Sequence, residues 1–167
     1  PVYCPDLGLT VGSPCDDGNP STINDAVTSE CECYGEQPCE TGGLFATRYF
    51  DGTDIIISGS SCNFESEYNA YNNAETGSVY TFTSNDDGYS GFITVRSGTP
   101  DGTVLGYGFS PVTVTSDING TLYTHFTTNG NCDTNIGNCV TTTGQCISCP
   151  HYCEALDMLE GDPCDDG

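Results

Sequence analysis

The sequence predicts an all-β protein: an antiparallel β-sandwich, jelly-roll-like or immunoglobulin-like, flanked by small, loop-rich connector modules that disulfides hold together. Two observations lead to this prediction. Short runs in which apolar and polar residues alternate recur between Asp-Gly and Asn-Gly turns, which is typical of antiparallel strands. Twelve cysteines in 167 residues are typical of a disulfide-stabilised protein from an oxidising compartment. We therefore expect an extracellular protein.

The first 40 residues are predicted to form a cysteine-rich connector module (residues 1–40), because they contain few alternating apolar residues. Its first four cysteines are expected to pair among themselves, and the sequence leaves all three pairings open: Cys4, Cys15, Cys31 and Cys33. One helical turn is expected, at Ser21–Val27, with Ser21 or Asn19 as its cap.

Residues 41–131 are predicted to be the sandwich. We expect strands in seven runs: Leu44–Phe50, Asp54–Ser58, Ser78–Thr83, Gly91–Arg96, Thr103–Phe109, Pro111–Ser116 and Thr121–Thr127. Twelve apolar residues are assigned to the inward face: Phe45, Ile55, Ile57, Val79, Phe82, Phe92, Val95, Leu105, Val112, Val114, Leu122 and Phe126. The tyrosine- and amide-rich run Glu65–Asn73 is expected to be an exposed loop.

Residues 132–149 are predicted to form a cysteine-rich tail in which Val140–Gly144 is one further strand. Residues 150–167 repeat the start of the chain: Pro1–Gly18 and Pro150–Gly167 align without a gap at an offset of 149, with 10 identities in 18 positions. We interpret the chain as one repeat unit and the start of the next, with the partner of Cys164 in that next unit. Each unit then holds ten cysteines for five disulfides, including Cys39, Cys62, Cys132, Cys139, Cys146 and Cys149.

The formal charge is −22, from 24 acids and two arginines. A surface of this charge repels nucleic acid and anionic membranes, and no apolar run is long enough to predict a membrane span. Clustered carboxylate and amide oxygens favour divalent cations, calcium above all. The sequence predicts a calcium site in the loop after Cys15, formed by Asp16, Asp17, Asn19, Thr22, Asn24 and Asp25. The alternative is that these are ordinary turn and cap residues. Asn85–Gly88 is a weaker copy, better interpreted as a hairpin turn.

The remaining residues of interest suggest binding or modification rather than catalysis. Tyr68 and Tyr71 would offer glycans a sugar-binding face if they are exposed. Asn119 begins the one N-x-[ST] sequon, at a predicted turn, and would be a glycosylation site. His125 shares a strand face with Tyr123 and is interpreted as a surface or hydrogen-bonded histidine. No acid–histidine–nucleophile set can be assembled, so we predict that the protein is not an enzyme.

The run Cys15–Asp25, followed by Cys31–Gly35, resembles the C-D-D-G-x-x-x-T-x-N-D … C-x-C-x-G repeats of very large secreted surface proteins of Bacteroidota bacteria. These include adhesin-like and fibril-forming proteins. The stretch from Val79 to Asn129 looks like the β-sandwich found between such motifs. The resemblance implies tandem repetition, display at the cell surface and a structural or adhesive role, and it brings no catalytic residues with it.

The sequence therefore predicts a structural repeat unit of an extracellular fibril or giant surface adhesin. Such a unit would assemble head-to-tail with neighbouring copies or repeats of itself through the C-D-D-G joint, with calcium as a cofactor. The alternative function is a secreted carbohydrate-binding β-sandwich module of a multidomain protein.

Overall fold

The computed structural model describes residues 1–19, 22–36, 38–52, 56–86, 89–135, 139–149, 152–153 and 158–159. Two five-stranded sheets and three separate two-stranded hairpins contain all the strands of these ranges. The predicted all-β, sandwich-like fold is thereby confirmed. Within the described ranges no helix has the length and hydrophobicity of a membrane span.

Two of the hairpins build the N-terminal module, and the third follows the sandwich. In the module, β1 (Tyr3–Cys4) pairs with β2 (Leu9–Thr10), and β3 (Ile23–Val27) pairs with β4 (Cys33–Glu36). The helical turn predicted at Ser21–Val27 is therefore wrong in its described part. Pairing with β4 uses the backbone groups that a helix would need, and the β-branched ends of β3 suit a strand.

The four cysteines of the module pair among themselves, as the sequence predicts. The disulfides are Cys4–Cys31 and Cys15–Cys33, with Cα–Cα distances of 5.3 and 6.0 Å. Since few apolar residues of the module are buried, these two crosslinks supply stability that a core of this size cannot.

The front sheet has five strands, in the spatial order β11 (Thr103–Phe109), β10 (Phe92–Ser97), β13 (Gly120–Thr127), β7 (Glu67–Ala74) and β5 (Gly43–Tyr49). All neighbours are antiparallel except β5 and β7, which are parallel. The exposed loop predicted at Glu65–Asn73 is wrong, because most of that run forms β7, an interior strand. Its inward residue Asn69 is polar and fully buried, so β7 lacks the apolar alternation that identifies a strand.

The back sheet has the order β12 (Val112–Thr115), β8 (Val79–Asp86), β14 (Cys139–Ser148) and β6 (Ile57–Phe64), and β9 (Tyr89–Ser90) pairs with β8. Strand β14 lies within the predicted tail 132–149, yet it pairs with a strand on each side. This part of the predicted tail is therefore an interior strand of the sandwich.

The core between the sheets contains six of the twelve residues predicted to point inward: Phe82, Val95, Val112, Val114, Leu122 and Phe126. Ile57 and Leu105 pack against it and are partly buried. Around the buried Phe50, aromatic rings lie 4.4 to 6.4 Å apart between centroids.

Four of the predicted inward residues need a separate account. Phe45 is 43% exposed, because a register shift between its two neighbours turns it out of the pairing. Val79 is only half-buried, since Tyr80 and Phe82 occupy the inward positions of the same strand. Phe92 is buried on the outer face, against Tyr107 and Phe109. Ile55 lies outside the described residues.

These burials predict opposite outcomes for two phenylalanines that the sequence does not distinguish. Phe82→Ala should lower the free energy of unfolding by about 3–5 kcal/mol, because it removes a fully buried ring from the core. Phe45→Ala should change it by no more than about 0.5 kcal/mol. Urea unfolding with the disulfides intact measures both values, and equal losses would contradict this assignment of the core.

Candidate functional site

The loop after Cys15 is closed at both ends by the module. The Cys15–Cys33 disulfide fixes its start to β4. The backbone N–H of Cys15 donates to the carbonyl oxygen of Asp25 over 3.1 Å, and Pro14 forms an isolated β-bridge with Ala26. The loop therefore returns to β3, and Asp16 and Asp17 come to lie beside Asp25.

Three of the six predicted calcium ligands meet in this loop. Asp16, Asp17 and Asp25 each offer a carboxylate oxygen, and these three atoms lie within 4.8 Å of one another. Because calcium–oxygen distances are about 2.3–2.6 Å, one ion could contact all three. Asp16 is exposed, whereas Asp17 and Asp25 are half-buried, so the group opens to solvent on one side.

Asp17 is held in its ionised form by the surrounding backbone. The N–H of Asn19 donates to Asp17 Oδ1 over 2.8 Å and is the main cause of a lowered pKa of this carboxyl. The Thr22 hydroxyl also donates to Oδ1, and the N–H of Gly35 donates to Oδ2, at 2.9 and 3.1 Å. These bonds orient a charged carboxylate toward its neighbours.

Asp25 has one satisfied and one unsatisfied oxygen. Its Oδ2 accepts the N–H of Asp17 at 2.9 Å, whereas its Oδ1 is buried and accepts no hydrogen bond from the described residues. A Cβ at Gly35 would collide with this Oδ1 and lie 2.6 Å from the Thr22 Cβ, so glycine is required there. A buried carboxylate oxygen without a donor is costly, and a bound cation would remove that cost.

The other three predicted ligands have different roles in the structure. Asn19 and Thr22 brace Asp17 through the bonds just described. Asn24 turns away, with φ of 54°, and its Nδ2 donates to the Tyr107 hydroxyl on β11 over 3.0 Å. Asn24 thus connects the module to the sandwich. In Asn85–Gly88, Asp86 pairs with Tyr89, while Asp87 and Gly88 lie outside the described residues.

A second cluster, which the sequence analysis did not identify, fixes the linker between module and sandwich to the outer face of the front sheet. Arg96 on β10 is fully buried. Its guanidinium donates to the carbonyl oxygens of Pro38 and Gly102, both at 2.9 Å, and forms an ion pair with Glu40 at 3.1 Å. The available signal in the sequence was Arg96 itself, one of only two arginines in a strongly acidic chain, placed within a predicted strand.

His125 lies on β13, on the same outer face of the sheet as Arg96 of the neighbouring strand β10. It is 1% exposed and hydrogen-bonded at both ring nitrogens. The Thr41 backbone N–H can only donate, so Nδ1 accepts it, over 3.0 Å. Nε2 must then carry the proton and donate to the Pro100 carbonyl oxygen over 2.8 Å. Burial, with the charge of Arg96, lowers the pKa of His125 to about 4. This imidazole is a neutral structural anchor.

Neither tyrosine of the predicted sugar-binding face is available in the way the sequence suggests. Tyr71 is fully buried in the core, where desolvation raises the pKa of its hydroxyl. Tyr68 is half-buried under Tyr123 and His125, with ring centroids 5.9 and 5.1 Å away. Tyr71 is therefore not accessible to a ligand, whereas Tyr68 lies on the outer face of β7 and its role as a ligand residue stays a prediction. Asn119 of the sequon is exposed.

All ten cysteines predicted to be disulfide-bonded are paired. Outside the module the pairs are Cys39–Cys132, Cys62–Cys139 and Cys146–Cys149. The first joins the linker to the loop after β13, and the second joins β6 to β14. Five disulfides indicate an oxidising, extracellular environment.

Comparison of the chain with protein-family models, curated proteins and solved structures finds no match. Functional conclusions therefore rest on the geometry of the chain itself.

The lowered pKa of His125 predicts a pH-dependent stability. Between pH 6.5 and about 4 the unfolded chain binds a proton at this residue and the folded chain does not. The free energy of unfolding should therefore fall as the pH falls through this window, by about 3 kcal/mol in total. Urea unfolding at pH 7, 5.5 and 4 tests this.

The matched variant is His125→Gln, which keeps all carboxylates and removes the imidazole titration. Its stability should fall less steeply than that of the parent between pH 6.5 and 4. Identical slopes for the two chains would show that carboxylates alone set the acid sensitivity.

Proposed function

We propose that the chain is a structural repeat unit of an extracellular fibril or giant surface adhesin, joined head-to-tail to its neighbours through the C-D-D-G module. The observation that carries this proposal is a repeated hairpin. In β1–β2, Tyr3 pairs with Thr10 and Cys4 with Leu9. In the third hairpin, Tyr152–Cys153 pairs with Met158–Leu159, residue for residue at the offset of 149.

This agreement in register goes beyond the sequence identity. Leu9 and Thr10 are replaced by Met158 and Leu159, yet the same positions pair. The first hairpin of the N-terminal module therefore has a counterpart after the sandwich, which supports a tandem array. In such an array each unit gains stability from its neighbours, and head-to-tail contacts that do not close produce filaments.

The crosslinks suit a unit that must resist extension. Cys39–Cys132 closes a loop of 93 residues and Cys62–Cys139 one of 77. In the chain-entropy description, each such crosslink stabilises the folded state by about 4–5 kcal/mol. Cys39–Cys132, together with the Arg96 and His125 contacts, holds the linker on the front sheet, and Cys62–Cys139 holds β14 to β6. Under this proposal the joint between units is stiff.

The acidic loop matters to the proposal because a cation bound there would reduce the repulsion between neighbouring units. Residues 1–149, the proposed unit, hold 18 acids and two arginines, a formal charge of −16, so neighbouring units repel one another at close range. Calcium held by Asp16, Asp17 and Asp25 would neutralise part of that charge within the module. Asp16 and Asp17 belong to the C-D-D-G motif that recurs at residues 164–167, so every joint would carry the same acidic pair.

The fibril proposal is tested on native material by cryo-electron microscopy. We expect filaments whose axial repeat corresponds to one 149-residue unit. Reductant together with EDTA should loosen or dissociate them, whereas buffer exchange alone should not. Compact monomers that neither treatment alters would contradict the proposal, and so would filaments with an axial repeat unrelated to this unit.

The calcium site is tested separately, by calorimetric titration of the chain with Ca²⁺ alone. Asp25→Asn should weaken binding at least tenfold, because it removes a charge from the group of three. Asp117→Asn, an exposed aspartate of the sandwich, is the matched control and should bind like the parent. At 100 times the Kd, Ca²⁺ should stabilise the fold by about 2.7 kcal/mol. Absence of heat, or equal weakening by both variants, would count against the site.

A further inference from the structure

A groove of about 660 Å³ lies at the edge of the front sheet where β5 and β7 end and β13 begins. Because β5 and β7 are parallel and β13 is antiparallel to β7, these three strand termini meet at one edge. The groove volume falls within the range of small-molecule sites, about 300–1,000 Å³. Its polar and aromatic lining residues are Tyr49, Asn72, Asn73, Glu75, Asn119 and Thr121.

A β-bulge shapes the floor of this groove. Tyr71 pairs with Leu122 and Ala74 with Gly120, so β7 has one residue more than β13 between these pairs. The additional residue allows Asn73 to adopt a φ of 62°, in the left-handed region. Bulges of this kind redirect side chains and are common beside binding sites. Here the bulge places two consecutive amides, Asn72 and Asn73, in the same groove.

Three amides in the groove are each anchored at one end. Asn72 Oδ1 accepts the Thr121 hydroxyl over 2.7 Å, and Asn119 Oδ1 accepts the Thr76 N–H over 2.9 Å. Asn73 Nδ2 donates to the Phe50 carbonyl oxygen over 3.2 Å. The NH₂ groups of Asn72 and Asn119 and the side-chain oxygen of Asn73 take no part in these three bonds. The groove thus offers oriented donors and an oriented acceptor at little entropic cost.

An aromatic ring completes the set. Tyr49 is 62% exposed and pairs with Asn72 across β5 and β7, so the ring stands next to the amides. A sugar ring presents an apolar face that packs on an aromatic side chain and hydroxyls that both donate and accept hydrogen bonds. Among the described residues, Glu75 contributes the only charged side chain that lines the groove, in a protein that is strongly acidic overall.

We propose that this groove binds a neutral carbohydrate, with Tyr49 packing on the sugar ring and Asn72, Asn73 and Asn119 bonding to its hydroxyls. The negative charge of the protein and of Glu75 disfavours sugars that carry carboxylate or sulfate groups. The site is independent of the proposed repeat assembly, and its failure would leave that assembly untouched.

The test begins with a glycan array that contains neutral hexose and N-acetylhexosamine oligosaccharides beside uronate, sialylated and sulfated ones. The full chain is produced in a host without N-glycosylation, so that Asn119 carries no sugar of its own. We expect binding to neutral members only. Binding restricted to acidic glycans, or none at all, would overturn the proposal.

Variants then assign the binding to the groove by titration with the best neutral glycan. Tyr49→Ala should weaken binding about tenfold, and Tyr49→Phe should retain it, because packing requires the ring and not the hydroxyl. Asn73→Gly tolerates the left-handed backbone and removes one amide, so it should weaken binding several-fold without loss of thermal stability.

The matched control is Tyr34→Ala, which removes a tyrosine of similar exposure, 66%, from the module. It should bind like the parent. Binding that survives Tyr49→Ala, or that Tyr34→Ala weakens equally, would place the sugar elsewhere and overturn the assignment.

Discussion

The arrangement of this molecule depends on one strand that is buried on both faces. All six residues of β10 are buried, with Ile93 and Val95 in the core and Arg96 on the opposite side. A buried guanidinium requires hydrogen-bond acceptors, and the linker between module and sandwich supplies them through the Pro38 carbonyl and Glu40. His125 on the neighbouring strand binds the same linker. The linker therefore does two things at once: it covers the outer face of the front sheet, and it attaches the module to the sandwich.

The two arginines are the only permanently cationic side chains of the chain, and both serve the interior architecture. Arg48 donates to the carbonyl oxygens of Ser58 and Gly59, both at 2.7 Å, and so braces β5 against β6. Arg96 does the same for the linker. Neither is placed to neutralise acids on a neighbouring molecule, and no lysine exists to do so. Close contacts between copies would therefore use apolar or neutral polar surface, or recruit cations from solution.

Alternation and turn residues were sufficient to predict most strands, the two-sheet fold and the closed set of four cysteines. They failed where the interior is polar. In β7, Asn69 forms a buried network with Asn63 and Thr142 through side-chain hydrogen bonds of 2.7 to 3.3 Å. A polar residue therefore occupies an inward position, and the sequence of β7 looks like that of an exposed segment. The acidic triad was predictable because its residues are near in sequence. The groove was not, since strand ends distant in sequence and a bulge create it.

The proposed tandem array has a physical consequence for where tension would enter and leave a unit. The chain enters the sandwich at the linker, which Cys39–Cys132 and Arg96 fix to the front sheet. It leaves through β14, an interior strand that hydrogen-bonds to β8 and β6 and is crosslinked to β6 by Cys62–Cys139. Extension would then have to break crosslinked or doubly paired segments, rather than peel an edge strand from its sheet. Cys39–Cys132 lies where the chain enters the sandwich, and Cys62–Cys139 anchors the end of β14 opposite to the exit at Ser148. Tension at that exit would act first on the hydrogen bonds of β14 with β8 and β6 and then on a covalent crosslink, so the disulfides add to the stability that a modest hydrophobic core supplies.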